Sequence, residues 1–261
     1  MASLSELESQ PHAAGADLSV GLILYFHGGG FIAMTSFSHE MYTRKWAIDA
    51  DMPFVSVDYR LAPEYPFPVQ LHECYQVYQW ALENATALGS TAHRVVLVGD
   101  SAGGNLAVAV TLRAIHDGIR VPDGVVLAYP ALVLTPAPSM SRLCALIDPL
   151  LNAKVMLHAF DSYVPEGLRR VADKNPFLSP AVATDDVLRR FPPARIVVGE
   201  FDPLLDDSVY FYRRLARLGR DVVISVQEGY GHGFLNMVSI IPDINSILDL
   251  VSIWLLELTG A

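Results

Sequence analysis

The chain has 261 residues, 52% of them apolar and 18% charged, with a net charge of −10. That length suits one large α/β domain, and an acidic balance with no Lys/Arg cluster argues against a nucleic-acid partner. Two cysteines, Cys74 and Cys144, make no disulfide framework, and the first 19 residues lack the basic start and apolar run of a secretory leader, so a cytoplasmic setting is expected.

Residues 1–18 are polar and small, and read as a short loose segment ahead of a domain over 19–261. Val20–Phe26 is an apolar run, a strand that stops at His27-Gly28-Gly29-Gly30. Residues 38–50 have a helical pattern, Phe54–Tyr59 a strand pattern, and the three prolines of 63–68 demand a loop. A helix is expected over 69–84, a strand over 95–98, and a helix from about Ala102 to His116. A strand over 124–129 closes at Pro130. Residues 133–190 are proline-rich and mixed, and read as helical excursions over the sheet. A strand over 196–198, a helix over 206–218, a strand over 222–227 and a last helix over 242–258 complete the chain. Strands alternating with helices imply βα units and a mostly parallel sheet flanked by helices. The apolar run Ile247–Leu258 is too short to span a bilayer and is broken by Asp249 and Glu257.

Three stretches carry chemistry. Gly99-Asp100-Ser101-Ala102-Gly103 is a G-x-S-x-G between a strand and a helix. Such a turn is too tight for bulk two residues either side of the serine, and it holds the hydroxyl above the strand ends. His27-Gly28-Gly29-Gly30 can turn backbone N–H groups toward a developing oxyanion, each worth on the order of 3 kcal/mol. The spacing fits neither common phosphate-binding glycine pattern. Here His27, which precedes the nucleophile and abuts the glycines, organises the loop rather than acting as a base. Asp202 and His232 both follow strands, in G-E-F-D-P-L-L-D-D and G-Y-G-H-G-F. Serine needs a histidine to take its proton and an acid to orient that histidine. Asp206 and Asp207 compete with Asp202 for the acid role, but they sit where a helix begins and carboxylates suit the helix dipole. The chain order Ser, Asp, His is that of α/β-hydrolases. No H-E-x-x-H, C-x-x-C or carboxylate cluster is spaced for a metal.

Together, H-G-G-G, V-D-Y-R-L-A-P-E-Y-P-F-P (57–68), G-D-S-A-G-G-N, D-P-L-L-D-D and H-G-F resemble the hormone-sensitive lipase family of α/β-hydrolases. Residues 88–94, 120–131, 141–151 and 201–208 look like the catalytic domain of the family's namesake. The resemblance implies an α/β-hydrolase fold and no metal or organic cofactor. It implies Ser101 as nucleophile, Asp202 as acid and His232 as base, with an oxyanion hole from Gly29, Gly30 and Ala102 and a loop-shaping role for Gly28. Arg60 and Glu64 would support the site. The substrate would be a small-molecule or lipid carboxylic ester. The family's N-terminal cap is reduced or missing ahead of residue 19, so the site is expected to be open and suited to short or medium acyl chains. A receptor-like homologue that binds without turnover is the rival reading, and His232 argues against it. An amide or acetyl-ester hydrolase of the same class, a fragment lacking its cap, and a homodimer formed through the C-terminal helix complete the expectations.

Overall fold

The computed structural model describes residues 18–260, so the expected loose segment before residue 18 lies outside the described residues. Six parallel strands form one sheet: β1 (Ser19–Phe26), β2 (Phe54–Val57), β3 (Ser90–Asp100), β4 (Gly124–Ala128), β5 (Ala194–Gly199) and β6 (Val222–Gln227). Their spatial order is β2-β1-β3-β4-β5-β6, and each neighbouring pair runs parallel. Strands covered on both faces read as unbroken apolar runs rather than alternating ones. Along β1, Leu22, Leu24 and Phe26 enter one core, while Ile23 and Tyr25 enter the other. Along β3, Val95 and Leu97 face the first core, and Val96 and Val98 the second. Each fully buried aliphatic side chain contributes roughly 1.5–3 kcal/mol.

Helix α1 (Glu40–Ala50) covers the second face together with the last helix, and α2 (Val69–Glu83) and α3 (Ala102–Asp117) cover the first. The excursion holds α4 (Ala153–Tyr163), the single-turn α5 (Asp185–Leu188) and several 3₁₀ turns. Helix α6 (Leu205–Arg217) returns to the first face through Phe211 and Leu215. Helix α7 (Ile244–Thr259) closes the second face with Ile247, Val251, Trp254 and Leu255 buried. Ile253, 59% exposed, is its only large apolar side chain that stands well out of the protein. Most of the apolar side chains of this helix therefore belong to the core. No helix among the described residues is long and apolar enough to cross a membrane.

Among the strand limits that differ from expectation are the start of β3 and the end of β2. β3 begins five residues before Val95, in the polar run Ser-Thr-Ala-His-Arg. Side chains compensate there: Ser90 Oγ donates to the Gly21 carbonyl at 2.8 Å, and the Asp123 carboxylate accepts the Val95 N–H at 2.8 Å. β2 stops at Val57 rather than Tyr59, because Asp58 turns to accept the backbone N–H and hydroxyl of Ser36.

From β1 the chain steps outward to β2, then crosses to the other side of β1 to form β3. The order therefore reverses between β1 and β3. A crevice outside the carboxyl ends of those two strands is where open α/β sheets bind ligands. His27-Gly28-Gly29-Gly30 follows the carboxyl end of β1, and Ser101 follows that of β3.

Candidate active site

Ser101 sits between β3 and α3 with φ 50° and ψ −116°, a backbone conformation that a side-chain-bearing residue holds at a cost on the order of 1–3 kcal/mol. Its N–H donates to the Ala128 carbonyl at 2.9 Å, and its own carbonyl accepts the Asn105 and Ala131 N–H groups. The local chemistry that permits this turn is the absence of side chains behind it. A Cβ placed on Gly103 would lie 1.8 Å from the Phe26 carbonyl oxygen and 2.6 Å from that of His27. We expect Gly103→Ala to lower stability by at least about 3 kcal/mol, since the obstacle is backbone and cannot rotate away. In a chain of this size that is a fall in Tm of roughly 6–12 °C, measurable by calorimetry.

Above the turn the three expected side chains meet. His232 Nε2 lies 2.9 Å from Ser101 Oγ, and His232 Nδ1 lies 3.0 and 2.9 Å from the two Asp202 carboxylate oxygens. Asp202 is fully buried, and Ser101 and His232 are 8% and 7% exposed. Asp202 also accepts the Leu204 N–H at 2.7 Å, which fixes its carboxylate in the loop after β5. Burial by itself would push the His232 imidazole down, but the charge and hydrogen bond of Asp202 outweigh it and hold its pKa above the ordinary histidine value. The Tyr129 ring stands edge-on to the imidazole at 4.9 Å between centroids.

The rival carboxylates are engaged elsewhere. Asp206 accepts the Ser141 N–H at 2.8 Å. Asp207 accepts the Val133 N–H at 3.0 Å and pairs with Arg142 at 3.1 Å. Burial raises the Asp207 pKa to about 7 against the pull of Arg142. Both residues thus tie the start of α6 to the excursion. The expected support from Arg60 and Glu64 takes a different form. Arg60 pairs with Glu73 and lies over the Tyr65 ring, whereas Glu64 is exposed and makes no side-chain hydrogen bond among the described residues.

His27 faces away from proton transfer. Its ring stacks on Tyr59 at 4.2 Å, and its Nδ1 lies 2.7 Å from the Gly28 carbonyl. Burial pushes its pKa down, and both contacts tie it to the loop. The N–H groups of Gly29 and Gly30 have no backbone or side-chain acceptor among the described residues, and Ala102 opens α3. Free donors of this kind can receive an oxyanion.

Two acidic residues were not legible as site components. Asp100, inside G-D-S-A-G, accepts the Gly28 N–H at 2.8 Å and the Tyr25 hydroxyl, with His39 Nε2 at 3.5 Å. Burial opposes its charge, but His39 and the Tyr25 hydroxyl outweigh that and hold the carboxyl below its ordinary pKa. A fixed anion under Gly28 thereby positions the loop from beneath. A lone acid between a β-branched strand and an apolar helix was the available signal. Asp148 lies in an irregular segment with no periodic pattern to mark it.

Ser101 opens into a cavity of about 380 Å³. Its walls come from Phe31 and from the excursion, including Val133, Leu151, Met156, Leu157 and Phe160. Phe31 stacks on Tyr163 at 3.7 Å, joining the glycine loop to the end of α4. No group of three or more His, Cys, Asp or Glu among the described residues is arranged to hold a metal.

Residues 23–236 match the family of the α/β-hydrolase fold. Human hormone-sensitive lipase is 52% identical over 157 residues, 60% of this chain and 15% of that protein. The mouse protein is 49% identical over 158 residues, 21% of its length, so the match spans a small part of these mammalian relatives. Ethyl acetate hydrolase of Pseudomonas putida is 32% identical over 246 residues, 94% of this chain and 74% of that one. A Pyrobaculum calidifontis esterase has a TM-score of 0.88 at 30% identity, covering 94% of this chain and 79% of its own. With one named hydrolase similar along nearly the whole chain and a named lipase at half identity over the larger part, this chain belongs to the α/β-hydrolase fold family, in the hormone-sensitive lipase group of esterases and lipases.

Proposed function

We propose that this chain is a serine carboxylic ester hydrolase that works through an acyl-enzyme. The observation that carries the reading is the unbroken hydrogen-bond chain from Ser101 through His232 to Asp202 at the floor of an apolar cavity. In this reading, His232 Nε2 takes the Ser101 proton as Oγ attacks the ester carbonyl carbon. The oxyanion rests on the N–H groups of Gly29, Gly30 and Ala102. When the tetrahedral adduct collapses, the C–O bond to the alcohol breaks and His232 gives its proton to the departing alkoxide. Water then enters, His232 takes its proton, and the hydroxide oxygen attacks the acyl carbon. The acid leaves as Ser101 Oγ recovers the proton.

Short to medium acyl chains suit the cavity, which lies near the lower end of the roughly 300–1,000 Å³ range of ligand pockets. Each buried methylene adds about 0.8 kcal/mol until the wall is met, and nothing beyond it. Hydrolysis of p-nitrophenyl esters from acetate to palmitate tests both statements. We expect kcat/KM to rise from acetate, peak at a short or medium chain and fall for palmitate. A flat profile, or one rising through palmitate, would remove the chain-length assignment. No turnover of any ester would remove the enzyme reading and favour a binding role. The thiols of Cys74 and Cys144 are both unpaired, which supports work in a reducing, cytoplasmic setting.

A further inference from the structure

The loop that carries His232 is held by a second carboxylate, outside the chain of Ser101, His232 and Asp202. Asp148 Oδ2 accepts the His232 backbone N–H at 2.7 Å. Asp148 Oδ1 accepts the Leu150 and Leu151 N–H groups at 2.9 and 2.7 Å. The side chain is 6% exposed and forms no ion pair with a Lys or Arg among the described residues. The approach is close: a Cβ on Gly231 would lie 2.7 Å from Asp148 Oδ2. A turn over 148–151 could be capped by a neutral Asn or Ser. What those residues lack is a second acceptor oxygen and a charge, and Asp148 presents both to the residue that carries the imidazole.

We propose that Asp148 is a positioning residue for proton transfer, holding the His232 ring against Ser101 through the His232 amide and favouring the imidazolium by its charge. This rests on the reading of His232 as the base. Asp202 meets the ring at Nδ1 and Ser101 at Nε2. Tyr129, beyond β4, faces it edge-on, and Asp100, at the end of β3, adds a further negative charge nearby. Burial works against the charged imidazole; the charge of Asp148, after Asp202, is among the causes that outweigh it and hold the imidazole above its ordinary pKa. Of these groups Asp148 alone belongs to the excursion, and Leu151, whose N–H it accepts, lines the cavity. One turn therefore joins the wall against which an acyl chain packs to the loop that presents the base.

The test compares Asp148→Asn and Asp148→Ser with Leu150→Ala, which alters the same turn and keeps the carboxylate. Two readouts are taken: the pH profile of p-nitrophenyl butyrate hydrolysis, and the His232 imidazole titration by NMR, which needs no turnover. We expect both Asp148 variants to lose roughly 10–100-fold in kcat with KM little changed, as small misplacements of reacting groups do. We expect the His232 titration, and with it the acid limb of the profile, to fall by on the order of one pH unit, the lower end of the effect of a nearby opposite charge. Leu150→Ala should move neither. Wild-type kcat and titration in a folded Asp148 variant would overturn the proposal, as would Leu150→Ala reproducing both changes. Failure of both Asp148 variants to fold, judged by circular dichroism, would assign the carboxylate to folding instead. Turnover abolished in His232→Ala but unchanged in Asp148→Asn sinks this proposal alone, whereas turnover retained in His232→Ala removes the base reading and this proposal with it.

Discussion

Ser101→Ala is expected to lower kcat for p-nitrophenyl butyrate by roughly 10⁴–10⁶-fold while the protein stays folded. The hydroxyl is the only atom removed, and Ser101 keeps its backbone hydrogen bonds to Ala128, Asn105 and Ala131. Alanine has the same difficulty with φ 50° as serine, so the strain of the turn is unchanged. Stability should therefore move by well under about 1 kcal/mol, and KM should change little, because the cavity wall is intact. Residual hydrolysis would come from the N–H groups of Gly29, Gly30 and Ala102 acting on water-borne attack. The check is steady-state kinetics beside a melting curve. A phosphonate ester that labels the wild type stoichiometrically and leaves Ser101→Ala unlabelled would place the covalent adduct on Ser101. A variant with more than about a tenth of wild-type kcat would mean that another group attacks.

Asp202→Asn carries the second large effect, a fall in kcat on the order of 10⁴-fold. The two Asp202 oxygens now share His232 Nδ1, which requires the proton on Nδ1 and leaves Nε2 free to accept from Ser101. An amide that presents its NH₂ to Nδ1 selects the opposite tautomer and puts a proton on the nitrogen that must accept one. The pH profile separates this from a loss of geometry. Only neutral imidazole can act as base, so activity rises with pH through the His232 pKa. In the wild type that pKa lies above the ordinary value, because Asp202 outweighs burial, and the acid limb should lie above about pH 6.5. Without the carboxylate, burial acts against a weaker opposition, the pKa falls, and the limb moves to lower pH even as the plateau drops. Asp206→Asn and Asp207→Asn should leave the limb in place, since those carboxylates bind Ser141, Val133 and Arg142. A limb that moved with Asp207→Asn and stayed with Asp202→Asn would transfer the acid role.

Legibility followed local physical constraint. The G-x-S-x-G turn was readable because its glycines are required by backbone contacts a few residues away and across β1. The β-strands in both cores were readable because burial on two faces leaves mostly apolar residues. The polar first half of β3 and the early end of β2 were not, because side chains of Ser90, Asp123 and Asp58 supply or divert the hydrogen bonds there. The excursion could be recognised as irregular and placed over the sheet, but nothing in its composition said that it walls the cavity.

What the sequence by itself determined about this protein is the set of parts and their order: apolar strands, the two glycine-rich turns, and Ser101, Asp202 and His232 at strand ends. Those follow from periodicity and from steric demands that act within a few residues. The tertiary structure alone decided which acid faces His232, how the excursion closes over Ser101, and that Asp100 and Asp148 are buried carboxylates that bond the two loops. Asp148 meets a residue 84 positions away, and Asp100 meets one 72 positions away. Contacts of that span depend on where the sheet brings its strand ends together, and no local pattern of side chains encodes them.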